Sequence, residues 1–266
     1  MTICFLKLGG SLITDKDRTD TPNLTRLAVI SEEISIALHD RPDLQLIIGH
    51  GSGSFGHHAA AKHHTRDGVK TLTDWRGFAE VWKKARALNE MVVNSLSSAH
   101  IPVISFPPSS FIITSNHKIV TCSVEPIRSA LENHLVPVVY GDVIFDREIG
   151  GTILSTEEIF ADLSKAIAPD VVLIAGTEPG VWKDFKQKDS ILPLLTQAQF
   201  HDSQDMTSSS VDVTGGMGSK VALMLKIAQR QPKTEIFIFS GTESGNIYSS
   251  LIGNHIGTRI SYQERG

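Results

Sequence analysis

The sequence predicts an α/β protein, a three-layer αβα sandwich built around a mainly parallel β-sheet. Short apolar runs such as "LQLIIG" (44–49) and "DVVLIAG" (170–176) alternate along the chain with longer segments that show the 3.6-residue periodicity of amphipathic helices. Alternating strands and helices favour a parallel sheet with helices on both faces. No proline- or serine-rich linker and no internal repeat divides the 266 residues, so we expect a single domain over residues 1–266.

The first part of the chain predicts three strands and two helices. The strands are the apolar, β-rich runs "TICFLKL" (2–8), "LQLIIG" and "IPVISF" (101–106). The segment 23–40 has apolar residues at helical spacing, with Asn23 or Thr25 available as its N-cap. The segment 73–100 predicts a long amphipathic helix with one apolar side.

The second part continues the alternation. "LVPVVYGDVIF" predicts one strand, the overlapping "VIFDREIGGTIL" predicts a hairpin that turns at or near Gly150, and Ser155 or Thr156 starts a helix with acidic residues in its first turn. The polar stretch 202–216 is typical of an active-site loop. The remaining predictions are strands at 170–176 and 234–241, a helix at 215–231 and short β pieces at 246–260.

Composition and charge exclude several classes of protein. Hydrophobic residues make up 41% and charged residues 20%, as in ordinary globular proteins. The net charge of −4 leaves no basic footprint for nucleic acid or for an anionic membrane surface. No apolar run approaches the roughly 20 residues of a membrane span, the N-terminus does not resemble a signal peptide, and the two cysteines indicate buried, reduced thiols. We therefore expect a cytoplasmic protein.

Glycines and lysines recur where strands end or helices begin. Lys7 precedes Gly9, Gly10 and Ser11, and Lys16 follows in the same loop. A second glycine segment, "GHGSGSFGHH" (49–58), lacks the Lys-Ser/Thr ending of a Walker loop, and its G-x-G-x-x-G from Gly51 is by itself a weak signal. A third segment, "VTGGMGSK", opens a helix and ends in Lys220. Several cationic, glycine-rich segments together favour phosphoryl transfer, which depends on positioning and charge neutralisation.

Two further residues carry chemistry in this pattern. Asp142, at the end of a predicted strand, could hold two ammonium groups in place or help to recruit Mg²⁺, and a solvated aspartate in a turn is an equally good interpretation. His57 lies beside the glycines at a helix start, where an imidazole can donate a hydrogen bond to a phosphate oxygen. The histidines have no zinc-ligand spacing, so no metal site is predicted among the side chains.

These motifs, in order along nearly the whole chain, resemble those of the isopentenyl phosphate kinases. The matching segments are "KLGGSLIT-DK", "GSGSFGHH", "YGDVIFD---GGTILS" and "DVTGGMGSK", and the glycine loop ending in histidine is the most specific of them. The resemblance implies the amino acid kinase (carbamate kinase-like) fold. It implies an N-terminal half (about 1–165) that binds the acceptor and a C-terminal half (about 166–266) that binds the nucleotide.

The resemblance also implies a reaction and its residues. ATP, with Mg²⁺, would phosphorylate isopentenyl phosphate to isopentenyl diphosphate, as in isoprenoid biosynthesis. Catalytic roles fall to Lys7, Lys16, His57, Asp142 and Lys220; ATP contacts to Lys7, Gly9, Gly10, Ser11, Gly53, Thr177, Glu178, Gly216 and Lys220; and acceptor contacts to Ser52, Gly56, His57, Thr156, Phe78 and Trp82. Asp142 would organise the lysines, and Trp82 would limit the length of the acceptor's apolar tail. A homodimer is expected from the habit of the family.

The chain departs from the family pattern at two places. "AGTEPGVW" stands where an aspartate-rich turn is usual, which leaves the contacts of Thr177 and Glu178 with the nucleotide open. Thr156 stands where glycine is common, so a backbone contact there can become a side-chain contact. Two other functions remain open: a sister kinase acting on fosfomycin, an acylated amino acid or a nucleotide, and a non-catalytic protein that binds nucleotides or oxyanions.

Overall fold

Two β-sheets organise the chain, which a computed structural model describes over residues 1–15, 17–184, 187–205 and 216–263. The strands of the larger sheet are β1 (Thr2–Leu8), β2 (Leu44–His50), β3 (Val103–Phe106), β6 (Val136–Tyr140), β9 (Val171–Gly176), β10 (Leu194–Thr196), β11 (Glu235–Ser240) and β12 (Thr258–Ser261). The strands of the smaller sheet are β4 (Ile112–Ser115), β5 (Lys118–Cys122), β7 (Asp142–Asp146) and β8 (Gly150–Leu154).

The helices lie between these strands in the sequence. They are α1 (Gly10–Ile13), α2 (Leu24–Asp40), α3 (Gly53–His63), α4 (Leu72–Ser98), α5 (Glu125–Glu132), α6 (Thr156–Leu163), α7 (Gln197–Asp205), α8 (Met217–Arg230) and α9 (Asn246–Leu251). Local signals set several of their starts. Asn23 accepts a hydrogen bond from the Arg26 amide at 3.0 Å, and Ser155 forms a reciprocal capping box with Glu158 at the start of α6.

The larger sheet has the strand order β10-β12-β11-β9-β1-β2-β6-β3 and is parallel except where β11 meets β12. Alternate side chains of β1 enter different cores. Phe5 packs with Phe160 and Met224 of α6 and α8, whereas Leu6 packs with Ile34 of α2. Helices therefore cover both faces of the sheet, which confirms the predicted three-layer sandwich.

The structure corrects two of the predicted elements. The run predicted as one strand at 135–145 is two strands, β6 and β7, which belong to different sheets. The chain changes sheet at Gly141, whose amide donates to the carbonyl oxygen of His50 at 3.1 Å. The tail begins with the helix α9 before its β-strand, because the buried carboxylate of Glu33 accepts hydrogen bonds from the amides of Gly245 and Tyr248.

None of the helices in the described ranges combines the length and the apolar character that crossing a bilayer requires.

Candidate active site

A cleft of about 850 Å³ opens at the carboxyl ends of β1, β2 and β6, where parallel sheets commonly bind their ligands. Both polar and apolar residues line the cleft. The residues around the glycine loops are Lys7, Gly10, Ser11, Gly51, Ser52, Gly56, His57, Gly141, Asp142, Thr156 and Glu157, and those from α8 and its start are Gly216, Ser219, Lys220, Ala222, Leu223 and Lys226. The cleft thus brings together the first, second and third glycine segments of the sequence.

The first two glycine loops touch through their backbones. A Cβ on Gly10 would lie 2.5 Å from the backbone nitrogen of Gly53. Gly53 itself has φ +49°, and a Cβ there would lie 2.3 Å from Oγ1 of Thr14. Both positions require glycine because the loops approach more closely than any side chain permits. Gly53 lies at this junction, behind the residues that line the cleft.

Lys7 forms a buried ion pair with Glu157 at the floor of the cleft. The Lys7 ammonium donates to Oε1 of Glu157, and both side chains are 6% exposed. Burial alone would raise the pKa of the Glu157 carboxyl, but the charges of Lys7 and Lys220 and the hydrogen bond from Lys7 lower it on balance. Glu157 is therefore a carboxylate that holds the Lys7 ammonium in position.

His57 faces the same cluster of charges. His57 is exposed to solvent at the cleft, and its partial desolvation there lowers the pKa of the imidazole below the ordinary value; the positive charges of Lys7 and Lys220 lower it further, while Glu157 opposes them. The ring is consequently neutral at pH 7 and has one N–H to donate. Lys7, His57, Glu157 and Lys220 all line the same cleft.

Asp142 lies in the cleft but does not form the ion pair with Lys7. Lys7 pairs with Glu157, whereas Asp142 Oδ1 accepts the Val143 amide at 2.7 Å and its Oδ2 has no hydrogen-bond partner among the described residues. Burial raises the pKa of Asp142 to about 8. The carboxyl is 1% exposed and lines the cleft, so it is a buried neutral acid at pH 7.

The amino acid kinase family model matches residues 2–240, which is most of the chain. The chain belongs to the amino acid kinase family. Its similarity to individual members lies within the isopentenyl phosphate kinases. It is 33% identical to the isopentenyl phosphate kinase of Methanocaldococcus jannaschii over 98% of this chain and 100% of that protein. It is also 33% identical to the Methanothermobacter thermautotrophicus enzyme of the same name over 96% of this chain and 98% of that protein.

Solved structures agree with this assignment. An X-ray structure of isopentenyl phosphate kinase superimposes with a TM-score of 0.82 at 31% identity, covering 97% of this chain and 100% of that one. The expected amino acid kinase fold is thereby confirmed.

The nucleotide end of the site differs from expectation in its details. The Gly9 amide donates to the carbonyl oxygen of Ala175 at 2.8 Å, so a nucleotide contact at Gly9 would not use this amide. Gly10, Ser11, Gly216 and Lys220 line the cleft. Lys16 lies outside the described residues, as do positions 206–215 of the loop expected at 202–216.

The unusual "TEPGVW" turn forms a small structural cluster after β9. Glu178 accepts hydrogen bonds from the indole nitrogen of Trp182 at 2.7 Å and from the Lys188 ammonium at 3.1 Å. Thr177 precedes this cluster, and neither Thr177 nor Glu178 is among the residues that line the cleft. Their contact with a nucleotide stays a prediction.

The apolar wall from α4 also differs from expectation. Its cleft-lining residues are Val81 and Ala85, joined by Ile153 from β8. Phe78 lies behind them, with ring centroids 5.2 Å from Trp75 and 5.4 Å from Phe145. Trp82 packs against the same cluster and carries Arg86 over its ring at 5.4 Å. Phe78 and Trp82 therefore support the wall, because the helical face that bears them is covered by the hairpin of β7 and β8.

The other residues predicted to contact the acceptor all line the cleft. Ser52, Gly56 and His57 line the cleft along the start of α3, and a Cβ on Gly56 would lie 2.5 Å from the side chain of Ser52. Thr156 is buried, and its Oγ1 donates to the carbonyl oxygen of His50 at 2.6 Å. Its hydroxyl thereby joins the start of α6 to the glycine loop.

Sequence reasoning missed Glu157. A local signal existed, since in "STEE" the capping box uses Glu158, whose Oε2 accepts the Ser155 amide at 2.7 Å. The other glutamate, Glu157, is then free to turn towards the sheet.

Proposed function

We propose that this chain transfers the γ-phosphoryl group of ATP to the phosphate of isopentenyl phosphate, giving isopentenyl diphosphate and ADP. The observation that carries the proposal is that Lys7, His57, Glu157 and Lys220 line one cleft together with apolar residues from α4 and β8. Cations and hydrogen-bond donors suit two phosphates that must be brought together, and an apolar wall suits a short hydrocarbon tail. Relatives that are 33% identical over nearly their whole length bear the name isopentenyl phosphate kinase.

The acceptor phosphate would bind at the start of α3. Neutral His57 donates one hydrogen bond to it, and the Ser52 hydroxyl and nearby backbone amides supply others. The tail would extend along Val81, Ala85 and Ile153. These small and branched side chains exclude water without offering polar partners.

The nucleotide phosphates would lie on the other side of the Lys7–Glu157 pair. Lys7 and Lys220 reduce the repulsion between donor and acceptor phosphates, and Gly10, Ser11 and Gly216 leave room for the close approach of the triphosphate. Glu157 would hold the Lys7 ammonium in position when the nucleotide and the acceptor are bound. We keep Lys16, Gly9, Gly53, Thr177 and Glu178 as proposed ATP residues from the family resemblance.

Mg²⁺ fits this site as a companion of ATP. The part of the chain that the structure describes holds no cluster of three potential metal ligands, and Mg²⁺ is usually held largely by substrate phosphates and water. The ion would neutralise charge on the transferred phosphoryl group. The protein's contribution is then the placement of its ammonium groups.

Three further proposals accompany the reaction. The acceptor half (about 1–165) and the nucleotide half (about 166–266) act as one domain, the enzyme is a homodimer, and it works in the cytoplasm. The family resemblance supports the first two, and the composition supports the third. Light scattering on the purified protein tests the dimer, and cell fractionation tests the location.

An ADP-release assay with a panel of acceptors tests the function. The panel contains isopentenyl phosphate, dimethylallyl phosphate, fosfomycin and N-acetylglutamate, each with ATP and Mg²⁺. We expect rapid turnover of isopentenyl phosphate and its loss in His57→Ala. His58→Ala is the matched control, because the neighbouring imidazole does not line the cleft and contacts the Ser54 carbonyl oxygen at 3.1 Å. Turnover of fosfomycin or N-acetylglutamate alone would assign the chain to a sister kinase, and no turnover of any acceptor would favour a binding protein.

A further inference from the structure

The buried carboxyl of Asp142 has an unused hydrogen-bonding atom inside the cleft. The residue is 1% exposed, and its Oδ2 has no hydrogen-bond partner in the part of the chain that the structure describes. Buried polar atoms are nearly always hydrogen-bonded, so the partner of Oδ2 is expected from whatever fills the cleft. Glu157, rather than Asp142, pairs with the Lys7 ammonium.

The backbone places Asp142 beside the glycine loop. The Gly141 amide donates to the carbonyl oxygen of His50 at 3.1 Å, and the Thr156 hydroxyl donates to the same oxygen at 2.6 Å. Gly51 and Ser52 follow His50 directly and line the cleft with Asp142. Asp142 therefore begins β7 one residue away from the point where the chain is tied to the acceptor loop.

Burial favours the neutral form of Asp142. The titratable groups that line the cleft with Asp142 are Lys7, His57, His64, Arg66, Asp67, Glu157, Glu158, Lys220 and Lys226, and Tyr140 on β6 lies within electrostatic range of both Asp142 and Arg86. Burial raises the pKa of Asp142 to about 8, and only the Val143 amide opposes it within the described chain. A bound anion next to the carboxyl would raise this pKa further, because like charges disfavour ionisation.

We propose that Asp142 binds the acceptor phosphate as a neutral carboxylic acid, donating a hydrogen bond from Oδ2 to a phosphate oxygen. The inference rests on the proposed function and adds a specificity residue to it. An ionised carboxylate at this place would repel the phosphate. The protonated acid can instead donate a hydrogen bond from Oδ2, which pairs this atom and one phosphate oxygen. Acceptor binding is then accompanied by proton uptake at any pH at which Asp142 is ionised in the unliganded protein. At about pH 8 this uptake approaches half a proton per site.

The experiment compares Asp142→Asn with Asp142→Ala in the full chain. The amide of Asn is neutral at every pH and can donate a hydrogen bond, whereas Ala cannot. We expect Asp142→Asn to keep kcat/KM for isopentenyl phosphate within about threefold at pH 7, and Asp142→Ala to lose about 10- to 100-fold, with an unchanged KM for ATP. Above pH 8, wild-type kcat/KM for the acceptor should fall about tenfold per pH unit. In Asp142→Asn, kcat/KM should not show this decrease above pH 8.

Calorimetry gives a readout that a structural role would not move. Isopentenyl phosphate is titrated at pH 8 in two buffers of different ionisation enthalpy, and the wild type should take up more protons than Asp142→Asn. Glu33→Gln is the control, because this buried glutamate caps α9 away from the cleft. Loss of the Glu33 carboxylate should lower the free energy of unfolding and leave the pH profile of kcat/KM unchanged.

The outcomes separate this inference from the proposed function. If the wild type phosphorylates isopentenyl phosphate but Asp142→Asn is as impaired as Asp142→Ala, then Asp142 acts as a carboxylate and the inference is wrong. Equal pH profiles and equal proton uptake in wild type and Asp142→Asn would overturn it as well. If the wild type neither binds nor phosphorylates isopentenyl phosphate, the proposed acceptor itself is wrong, and the inference is lost with it.

Discussion

Breaking the Lys7–Glu157 pair should destabilise the protein as well as inactivate it. Both side chains are 6% exposed, so removing one partner leaves the other charge in a poorly solvated place. For a buried pair this costs about 3–5 kcal/mol. We therefore expect Glu157→Leu to lower the free energy of unfolding by about this amount, since the Lys7 ammonium then lacks its counter-charge.

The double variant Lys7→Met/Glu157→Leu separates charge from packing. Replacing both partners by apolar residues of similar volume is commonly neutral for stability, so the double variant should regain most of the lost free energy. It should stay inactive, because it has no ammonium at the floor of the cleft. Urea unfolding of the wild type, both single variants and the double variant gives the coupling energy, and turnover with isopentenyl phosphate gives the activity.

The coupling energy decides whether the reasoning holds. We expect at least about 2 kcal/mol between the two positions, which exceeds the error of a double-mutant cycle. Additive effects below about 1 kcal/mol for each single variant would show that the pair is solvated and that Glu157 does not hold Lys7.

Three other predictions test separate parts of the structure. Gly53→Ala should lower the free energy of unfolding by at least about 2 kcal/mol, because φ is +49° and the new Cβ would lie 2.3 Å from Thr14 Oγ1; a loss below 0.5 kcal/mol in urea unfolding would contradict the loop contact. Val81→Ala should raise kcat/KM for a ten-carbon prenyl phosphate, whereas Trp82→Ala, behind the wall, should leave the chain-length profile unchanged; the reverse result would restore Trp82 to the pocket. Asp142 keeps its proton up to about pH 8 while the unfolded chain releases it near pH 4, so wild-type stability should fall between these values by up to about 1.4 kcal/mol per pH unit relative to Asp142→Asn; parallel stability curves would mean that Asp142 is ionised.

The fold was predictable because its signals are local. Buried strands such as β1 and β9 are continuous apolar runs, and the caps of α2 and α6 are encoded within four residues of their starts. The glycine loop that joins β2 to α3 was predictable for the same reason, since its glycines follow the apolar strand in the sequence.

What sequence reasoning missed depends on contacts between distant segments. Glu157 meets Lys7 across 150 positions, and a glutamate in a first helical turn is ordinarily a solvated residue. Asp142 follows a strand end as predicted, but the carboxylate that pairs with Lys7 is Glu157. The choice between Val81 and Trp82 as wall residues depends on where the β7–β8 hairpin covers α4, and helical periodicity cannot specify this.

The transfer reaction itself is tested most directly by ³¹P NMR of the wild-type protein with ATP, Mg²⁺ and isopentenyl phosphate. We predict that the monophosphate signal is replaced by the two coupled signals of isopentenyl diphosphate while ADP appears in equal amount, and that His57→Ala abolishes both changes. Formation of inorganic phosphate with an unchanged monophosphate signal, or no consumption of ATP at all, would contradict phosphoryl transfer to this acceptor.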